Sequence, residues 1–326
     1  MRISHLSDAV RYTGRWAKNT AAAVTTACGA SLELAFTGKD CVLFFDVKSN
    51  AAPFPHVYLQ LDGGAKVDVA IDHYVRVEAS DEGNHVLKVI LKCSVENYQR
   101  WYEPLTSKIS FIGAEAEGEG VLLEDNREII EFIGDSITEG TWVDEQRMTD
   151  GNRENYKNMV FQNDSTATYA YLTAEALGMR PWIMGYGSVG LTKSGGGGVP
   201  RVHDAYPYAF HNTSREIPQA KIIVMNHGAN DFAASEQEYI DAYQEFIKLV
   251  RKINPNAQIV ALSAFLGRYP DAVGKMVERY NAETGDSVLF INTSGWIPRE
   301  PVHPAREGHK VVAEKLVGIL RERLDL

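Results

Sequence analysis

The sequence predicts two domains, an all-β sandwich of jelly-roll type over residues 1–125 and an α/β domain with a three-layer parallel sheet over residues 126–326. In the first part, hydrophobic residues recur at every second position, which is typical of antiparallel strands with one buried face. In the second part, short apolar runs alternate with helical repeats, which is typical of a parallel sheet covered by helices. A polar segment at 124–127 separates the two patterns and predicts the boundary.

The N-terminal alternation is clearest in three apolar runs, at 32–36, 57–61 and 67–71. Turn sequences rich in Asp, Asn and Gly, at 62–64 and 82–84, are of the kind that connects antiparallel strands. No helical repeat interrupts these runs. A sandwich is expected because two packed sheets each bury one face.

The C-terminal domain begins with an apolar run, Ile129 to Ile133, that ends at Gly134-Asp135-Ser136. Gly134 permits a tight exit from a buried strand. Ligands bind outside the carboxyl ends of the strands in open α/β sheets, and Ser136 is expected at that edge.

Three further predicted strands, at 182–184, 221–225 and 288–291, also end in polar or glycine-rich sequence. The first precedes Gly187 and Gly190, the second precedes Asn230, and the third leads to His303. Because carboxyl ends of parallel strands meet at one edge, these residues are expected to lie near Ser136.

Helical repeats occupy the connections between these strands. Ser235 and Glu238 form a capping-box sequence before a helical apolar stripe that runs from 239 to 250. A last amphipathic helix is expected at 305–324, directly after His303.

Ser136 and His303 are the residue types that ester hydrolysis needs. A serine hydroxyl becomes nucleophilic when a base takes its proton, and histidine titrates near neutral pH. The alternatives are that Ser136 only caps a helix and that His303 is an ordinary loop residue.

The set made of the run 134–138, Gly190, the run 228–231 and His303-Pro304 resembles the SGNH (GDSL-type) hydrolase superfamily over roughly residues 127–326. The resemblance implies a flavodoxin-like parallel sheet. It also implies an oxyanion hole formed by the backbone N–H of Ser136, the N–H of Gly190 and the side chain of Asn230. Gly187 is the alternative to Gly190, and a turn role is the alternative for Asn230.

The residue that orients His303 is left open. The superfamily usually has Asp three residues before the histidine, where this chain has Glu300. Either Glu300 completes a catalytic triad, or it stays solvated beside Arg299 while a backbone carbonyl orients the imidazole of a Ser–His dyad.

A β-sandwich before such a domain resembles carbohydrate esterase family 2, and the segments 11–16, 62–63 and 84–85 are similar to that family. The resemblance implies an acetyl xylan or mannan esterase type of activity, in which an acetyl-enzyme forms on serine and acetylated oligosaccharides are the substrate. No metal or cofactor is implied. The alternatives are a lipase or thioesterase on the same scaffold, and a catalytically weak carbohydrate-binding protein.

Three aromatic residues near the expected site, Trp296, Tyr186 and Trp142, are predicted to contact sugar, with ordinary packing as the alternative. The long polar segment 141–164 is expected to form a wall of the site. The glycine run at 195–198 is expected to be a mobile loop beside it.

Composition excludes two classes of partner. The net charge is −10 and no block of Lys or Arg occurs, which argues against a nucleic acid. No apolar run reaches the roughly 18 residues that span a membrane. Three widely spaced cysteines match neither a disulfide framework nor a zinc site, and no signal peptide is evident. A cytoplasmic protein is expected, or a secreted one if a leader was removed. The sequence does not determine the oligomeric state or the sugar.

Overall fold

A computed structural model describes residues 1–144, 159–298 and 301–326. The predicted fold class is confirmed. The N-terminal strands are β1 Arg2–Ser4, β2 Val10–Thr13, β3 Ala17–Lys18, β4 Ala23–Thr25, β5 Ser31–Thr37, β6 Asp40–Phe45, β7 His56–Leu61, β8 Val67–Ala70, β9 Tyr74–Glu78, β10 Asn84–Cys93, β11 Ile109–Glu115 and β12 Gly118–Glu119.

These strands form two six-stranded antiparallel sheets. One has the order β3-β4-β11-β6-β9, with β1 beside β11, and the other has the order β12-β5-β10-β7-β8, with β2 beside β5. Leu34 of β5 pairs with Leu87 of β10, and both are completely buried. Because alternate side chains point to opposite faces, the predicted apolar positions meet between the sheets.

The C-terminal part alternates strands and helices. Its strands are β13 Ile129–Gly134, β14 Arg180–Gly185, β15 Tyr208–Phe210, β16 Thr213–Ser214, β17 Ala220–Asn226, β18 Gln258–Leu262 and β19 Leu289–Ile291. Its described helices are α1 Ser136–Glu139, α2 Met159–Gln162, α3 Tyr169–Ala176, α4 Val202–Ala205, α5 Glu236–Ile253, α6 Pro270–Thr284 and α7 Arg306–Leu324.

The parallel sheet has the strand order β14-β13-β17-β18-β19, which is the flavodoxin-like order expected. Alternate residues of β17 supply its two cores. Ile222 and Val224 pack with α3 and α7, whereas Ile223 and Met225 pack with α5 and α6. The predicted capping box of α5 is present.

The two parts share buried contacts. Trp101 and Leu105 of the sandwich belong to the same apolar cluster as α5 and α6. The buried guanidinium of Arg15 donates hydrogen bonds to the carbonyls of Ala205 and Tyr206, at 3.1 and 3.2 Å. The predicted division at residue 125 falls in the strand-free connection between β12 and β13.

The glycine run at 195–198 is tied to the sandwich rather than free. Gly197 accepts a hydrogen bond from the backbone N–H of Arg100 at 2.9 Å, and Gly196 donates one to Gly187 at 3.0 Å. A Cβ at Gly196 would lie 2.8 Å from the carbonyl oxygen of Glu96, which is too close. Gly197 and Gly198 have positive φ angles. The loop is therefore glycine-rich because another segment lies against it.

Cys28, Cys41 and Cys93 are buried free thiols. None of the helices in the described ranges is both long and apolar enough to cross a bilayer.

Candidate active site

The turn after β13 places Ser136 at the carboxyl edge of the sheet. A Cβ at Gly134 would lie 2.8 Å from the Cβ of Thr138, so this position requires glycine. Asp135 caps α1, and its carboxylate accepts a hydrogen bond from the N–H of Ile137 at 3.0 Å. Ser136 is therefore the first residue of a short helix, and its backbone N–H has no acceptor within that helix.

Ser136 and His303 lie in hydrogen-bonding contact. The Nε2 atom of His303 is 2.8 Å from the Oγ atom of Ser136. Burial lowers the pKa of His303 to about 4, so the imidazole is neutral at pH 7. A neutral ring with its proton on Nδ1 presents Nε2 as an acceptor for the serine proton. Ser136 and His303, 167 positions apart in the chain, thus meet at the sheet edge as the strand ends predicted.

The predicted oxyanion donors lie on adjacent strand ends, but the two glycine amides already have acceptors. The Gly190 N–H donates to the carbonyl of Lys193 at 3.1 Å. The Gly187 N–H donates to the carboxylate of Glu139 at 2.6 Å. Asn230 uses one side-chain hydrogen on the Val189 carbonyl at 3.0 Å, which leaves its second Nδ2 hydrogen. The Gly190 assignment stays a prediction, and it requires exchange of the turn bond to Lys193.

Asp231 connects these two loops, which sequence reasoning missed. Its buried carboxylate accepts hydrogen bonds from the N–H groups of Leu191 and Thr192, at 3.2 and 2.8 Å, and from the Thr192 hydroxyl at 2.7 Å. Asp231 therefore holds the chain directly after Gly190 against the turn that carries Asn230. A carboxylate after a buried strand was the available signal.

A buried ion pair between the domains supports the loop that carries Gly187 and Gly190. Sequence reasoning missed this pair too. Glu139 of α1 pairs with Arg100 of the sandwich, which is fully buried. Arg100 also lies over the ring of Tyr186, with its guanidinium carbon 5.2 Å from the ring centroid. Since Glu139 also accepts from Gly187, the sandwich helps to position the loop that carries Gly190.

Glu300 lies outside the described residues, so its role stays a prediction. The same holds for most of the polar segment expected to form a wall, because residues 145–158 are outside the described ranges. At the described ends of that segment, Asp144 and Asp164 both form ion pairs with Arg306 of α7.

The structure corrects two of the three aromatic predictions. Tyr186 is 1% exposed and its hydroxyl lies 3.0 Å from Thr26 Oγ1, so its ring has no face open to a sugar. Trp142 is 6% exposed and packs with Cys93 and Val95. Both side chains are packing residues where sandwich and α/β domain meet. Trp296 is half-buried against the α7 side of the sheet, so its contact with substrate stays a prediction.

In the ranges that the structure describes, no group of three or more His, Cys, Asp and Glu side chains is placed to hold a metal ion.

Solved structures share this fold over nearly the whole chain. A family two carbohydrate esterase from Clostridium thermocellum in complex with cellohexaose has a TM-score of 0.79 at 21% identity, covering 97% of this chain and 99% of that one. A family two carbohydrate esterase from Cellvibrio japonicus has a TM-score of 0.79 at 18% identity, with 100% and 98% coverage. The acetyl xylan esterase Est2A from Butyrivibrio proteoclasticus has a TM-score of 0.78 at 20% identity, with 100% and 99% coverage. No curated protein matches the sequence.

The sequence model of the GDSL-like lipase/acylhydrolase family matches residues 132–311. That span includes Ser136, Asn230 and His303, and it is more than half of the 326 residues. On this match the chain belongs to the GDSL-like lipase/acylhydrolase family.

Proposed function

We propose that this protein is a carbohydrate O-acetyl esterase, with Ser136 as nucleophile and His303 as general base. The observation that carries the proposal is the 2.8 Å contact between Ser136 Oγ and His303 Nε2 at the carboxyl edge of the sheet. Family membership and the shared fold of carbohydrate esterases support the reaction class.

In the first half-reaction, His303 takes the hydroxyl proton while Ser136 Oγ bonds to the acetyl carbonyl carbon. The carbonyl oxygen becomes an oxyanion and accepts hydrogen bonds from the Ser136 N–H and the Asn230 side chain, with Gly190 as the proposed third donor. Each such donor is typically worth about 10²–10³ in rate. When the tetrahedral intermediate collapses, the sugar oxygen leaves and takes the proton from His303.

In the second half-reaction, water replaces the sugar. His303 takes a proton from the water as its oxygen bonds to the acetyl carbon. The second intermediate collapses to acetate, and Ser136 regains its proton.

Two features support a sugar as the leaving group. The described surface beside Asn230 carries charged side chains, among them Lys193, Asp241 and Glu245, next to apolar alanine surface, and these charges favour a ligand with hydroxyl groups. In addition, one of the fold's relatives was solved with cellohexaose.

The test is NMR of acetylated xylo- and manno-oligosaccharides incubated with the wild-type protein and with Ser136→Ala. The wild type should convert sugar acetyl signals to free acetate, and the variant should lose essentially all of this activity while keeping its thermal unfolding temperature. Activity above a few per cent in a folded variant would remove Ser136 from its role. Hydrolysis of 4-nitrophenyl acetate but of no acetylated sugar would contradict the substrate class.

A further inference from the structure

A cavity of about 530 Å³ begins at Asn230 and lies between the loop at 192–201 and helix α5. We call it the Asn230 cavity. Most of its lining residues carry polar or charged groups, and Ala233, Ala234 and Ala242 add apolar surface between them. The lining residues that matter here are Lys193, Arg201, Asn230, Glu238, Asp241 and Glu245.

The sheet register places this cavity beside the proposed reaction centre. Gly134 of β13 pairs with Asn226 of β17, so the two strands end level with each other. Ser136 follows two residues after Gly134, and Asn230 follows four residues after Asn226. Ser136 and His303 do not line the cavity, and Asn230 is the residue that the cavity and the proposed reaction centre share. The cavity is far larger than an acetyl group needs.

The walls select the chemistry of the occupant. Glu238, Asp241 and Glu245 are spaced by three and four residues on α5, which places them on one face of the helix. Carboxylates and the Lys193 ammonium are good partners for sugar hydroxyls, whereas an alkyl chain would leave these charges without water. Arg201 is already paired with Asp204 at 2.8 Å. The remaining charge is negative, which disfavours an acidic sugar.

Phe232 adds an aromatic surface to the same edge. Phe232 is not itself part of the cavity lining: it lies between Asp231 and Ala233, which are, and it is 74% exposed. Lys193 Nζ lies 5.8 Å from the centroid of its ring. The face of an aromatic ring carries partial negative charge and packs against the polarised C–H face of a sugar. At 74% exposure, most of the ring is free to contact a ligand.

We propose that Phe232 and the Asn230 cavity form a subsite for a neutral sugar unit adjoining the acetylated one. This inference rests on the proposed function and adds a specificity-determining residue to it. The ring of Phe232 supplies stacking, and the carboxylates of α5 accept hydrogen bonds from sugar hydroxyls. Their negative charge repels the carboxylate of a uronic acid.

The first test compares two substrates, an acetylated oligosaccharide and 4-nitrophenyl acetate, which has no sugar. For Phe232→Ala, the KM of the oligosaccharide should rise about three- to tenfold relative to the KM of the small ester, as expected for the loss of one aromatic contact. Phe232→Tyr should restore the wild-type ratio. Tyr74→Ala is the matched control, because Tyr74 is a 63% exposed aromatic on β9 of the sandwich. An unchanged ratio in Phe232→Ala would overturn the proposal.

A second test measures binding without the reaction. Calorimetry should detect unacetylated neutral oligosaccharide binding to the wild type, with at least threefold weaker binding to Phe232→Ala and to uronate-substituted chains. If no neutral oligosaccharide binds the wild type, or if uronate-bearing chains bind equally, the subsite is wrong as described. Binding through Phe232 without deacetylation would keep the subsite and refute the proposed reaction. Deacetylation with an unchanged KM ratio in Phe232→Ala would keep the proposed reaction and refute the subsite.

Discussion

Replacing Glu139 with alanine should lower kcat by more than the loss of stability alone explains. The change removes the acceptor of the Gly187 N–H, now at 2.6 Å, and leaves the Arg100 guanidinium buried without its partner. Breaking a buried ion pair costs about 3–5 kcal/mol, or roughly 4–7 °C in unfolding temperature for a chain of this length. Gly187 is three residues before Gly190, and a displacement of about 1 Å in such a loop can cost about 10²-fold in rate. We therefore expect kcat to fall about 10- to 100-fold.

The chain provides a matched control in Glu131→Ala. Glu131 also forms a fully buried ion pair, with Arg215 at 2.8 Å, and it also accepts from the Tyr206 hydroxyl at 2.9 Å. It lies on β13, five residues before Ser136, but none of these partners belongs to the Gly187 loop. This variant should lose comparable stability while its kcat stays within about threefold of the wild type.

The assay is kcat on 4-nitrophenyl acetate at a temperature where unfolding curves show every variant folded. The double variant Arg100→Met with Glu139→Gln removes both charges and leaves an amide oxygen for the Gly187 N–H. Since removing both partners of a buried pair is often nearly neutral, this protein should recover most of its stability and of its kcat. Equal losses of kcat in the Glu139 and Glu131 variants would refute the argument that Glu139 positions the loop.

Four further outcomes are expected. Burial raises the pKa of Asp135 to about 7. The stability that protonated Asp135 contributes is therefore fully present below about pH 4 and is lost as the pH rises through 7. Asp135→Asn, which keeps an oxygen for the Ile137 N–H, should flatten the change in unfolding temperature between pH 5 and pH 8. Because burial lowers the pKa of His303 to about 4, kcat/KM should hold down to about pH 5 and fall below it, and an acid limb near pH 6.5 would contradict this. Glu300→Gln should lose less than about tenfold in kcat/KM, and a collapse comparable to that of His303→Ala would instead show a catalytic triad. Rates on nitrophenyl esters should fall steeply from acetyl to octanoyl, whereas a flat series would favour a lipase.

The sequence was sufficient to predict that Ser136 and His303 meet, because strand ends are encoded locally. The apolar run before Gly134 and the histidine before α7 each have a local pattern, and parallel-sheet geometry then brings Ser136 and His303 to one edge. The alternating runs of the sandwich were equally local. These elements agree closely with the structure.

What was missed depends on contacts between distant segments. Arg100 and Glu139 each look like ordinary solvated charges in sequence, and only the packing of the sandwich on the α/β domain buries them together. The same packing covers Tyr186, which follows its strand as an active-site residue would. Phe232 was overlooked because an apolar residue after a buried strand is usually a core residue, and its exposure is visible only in three dimensions.

The glycine run at 195–198 has a consequence for anyone who engineers this chain. By composition it would be chosen as a flexible linker, and therefore as a place to insert a tag, to cut the chain, or to open new termini. In the fold it lies in the contact between the two domains, where even one methyl group at residue 196 would clash with the backbone of Glu96. This glycine-rich loop should therefore tolerate insertions poorly. A library that varies it for flexibility would mostly contain proteins in which the two domains no longer pack together.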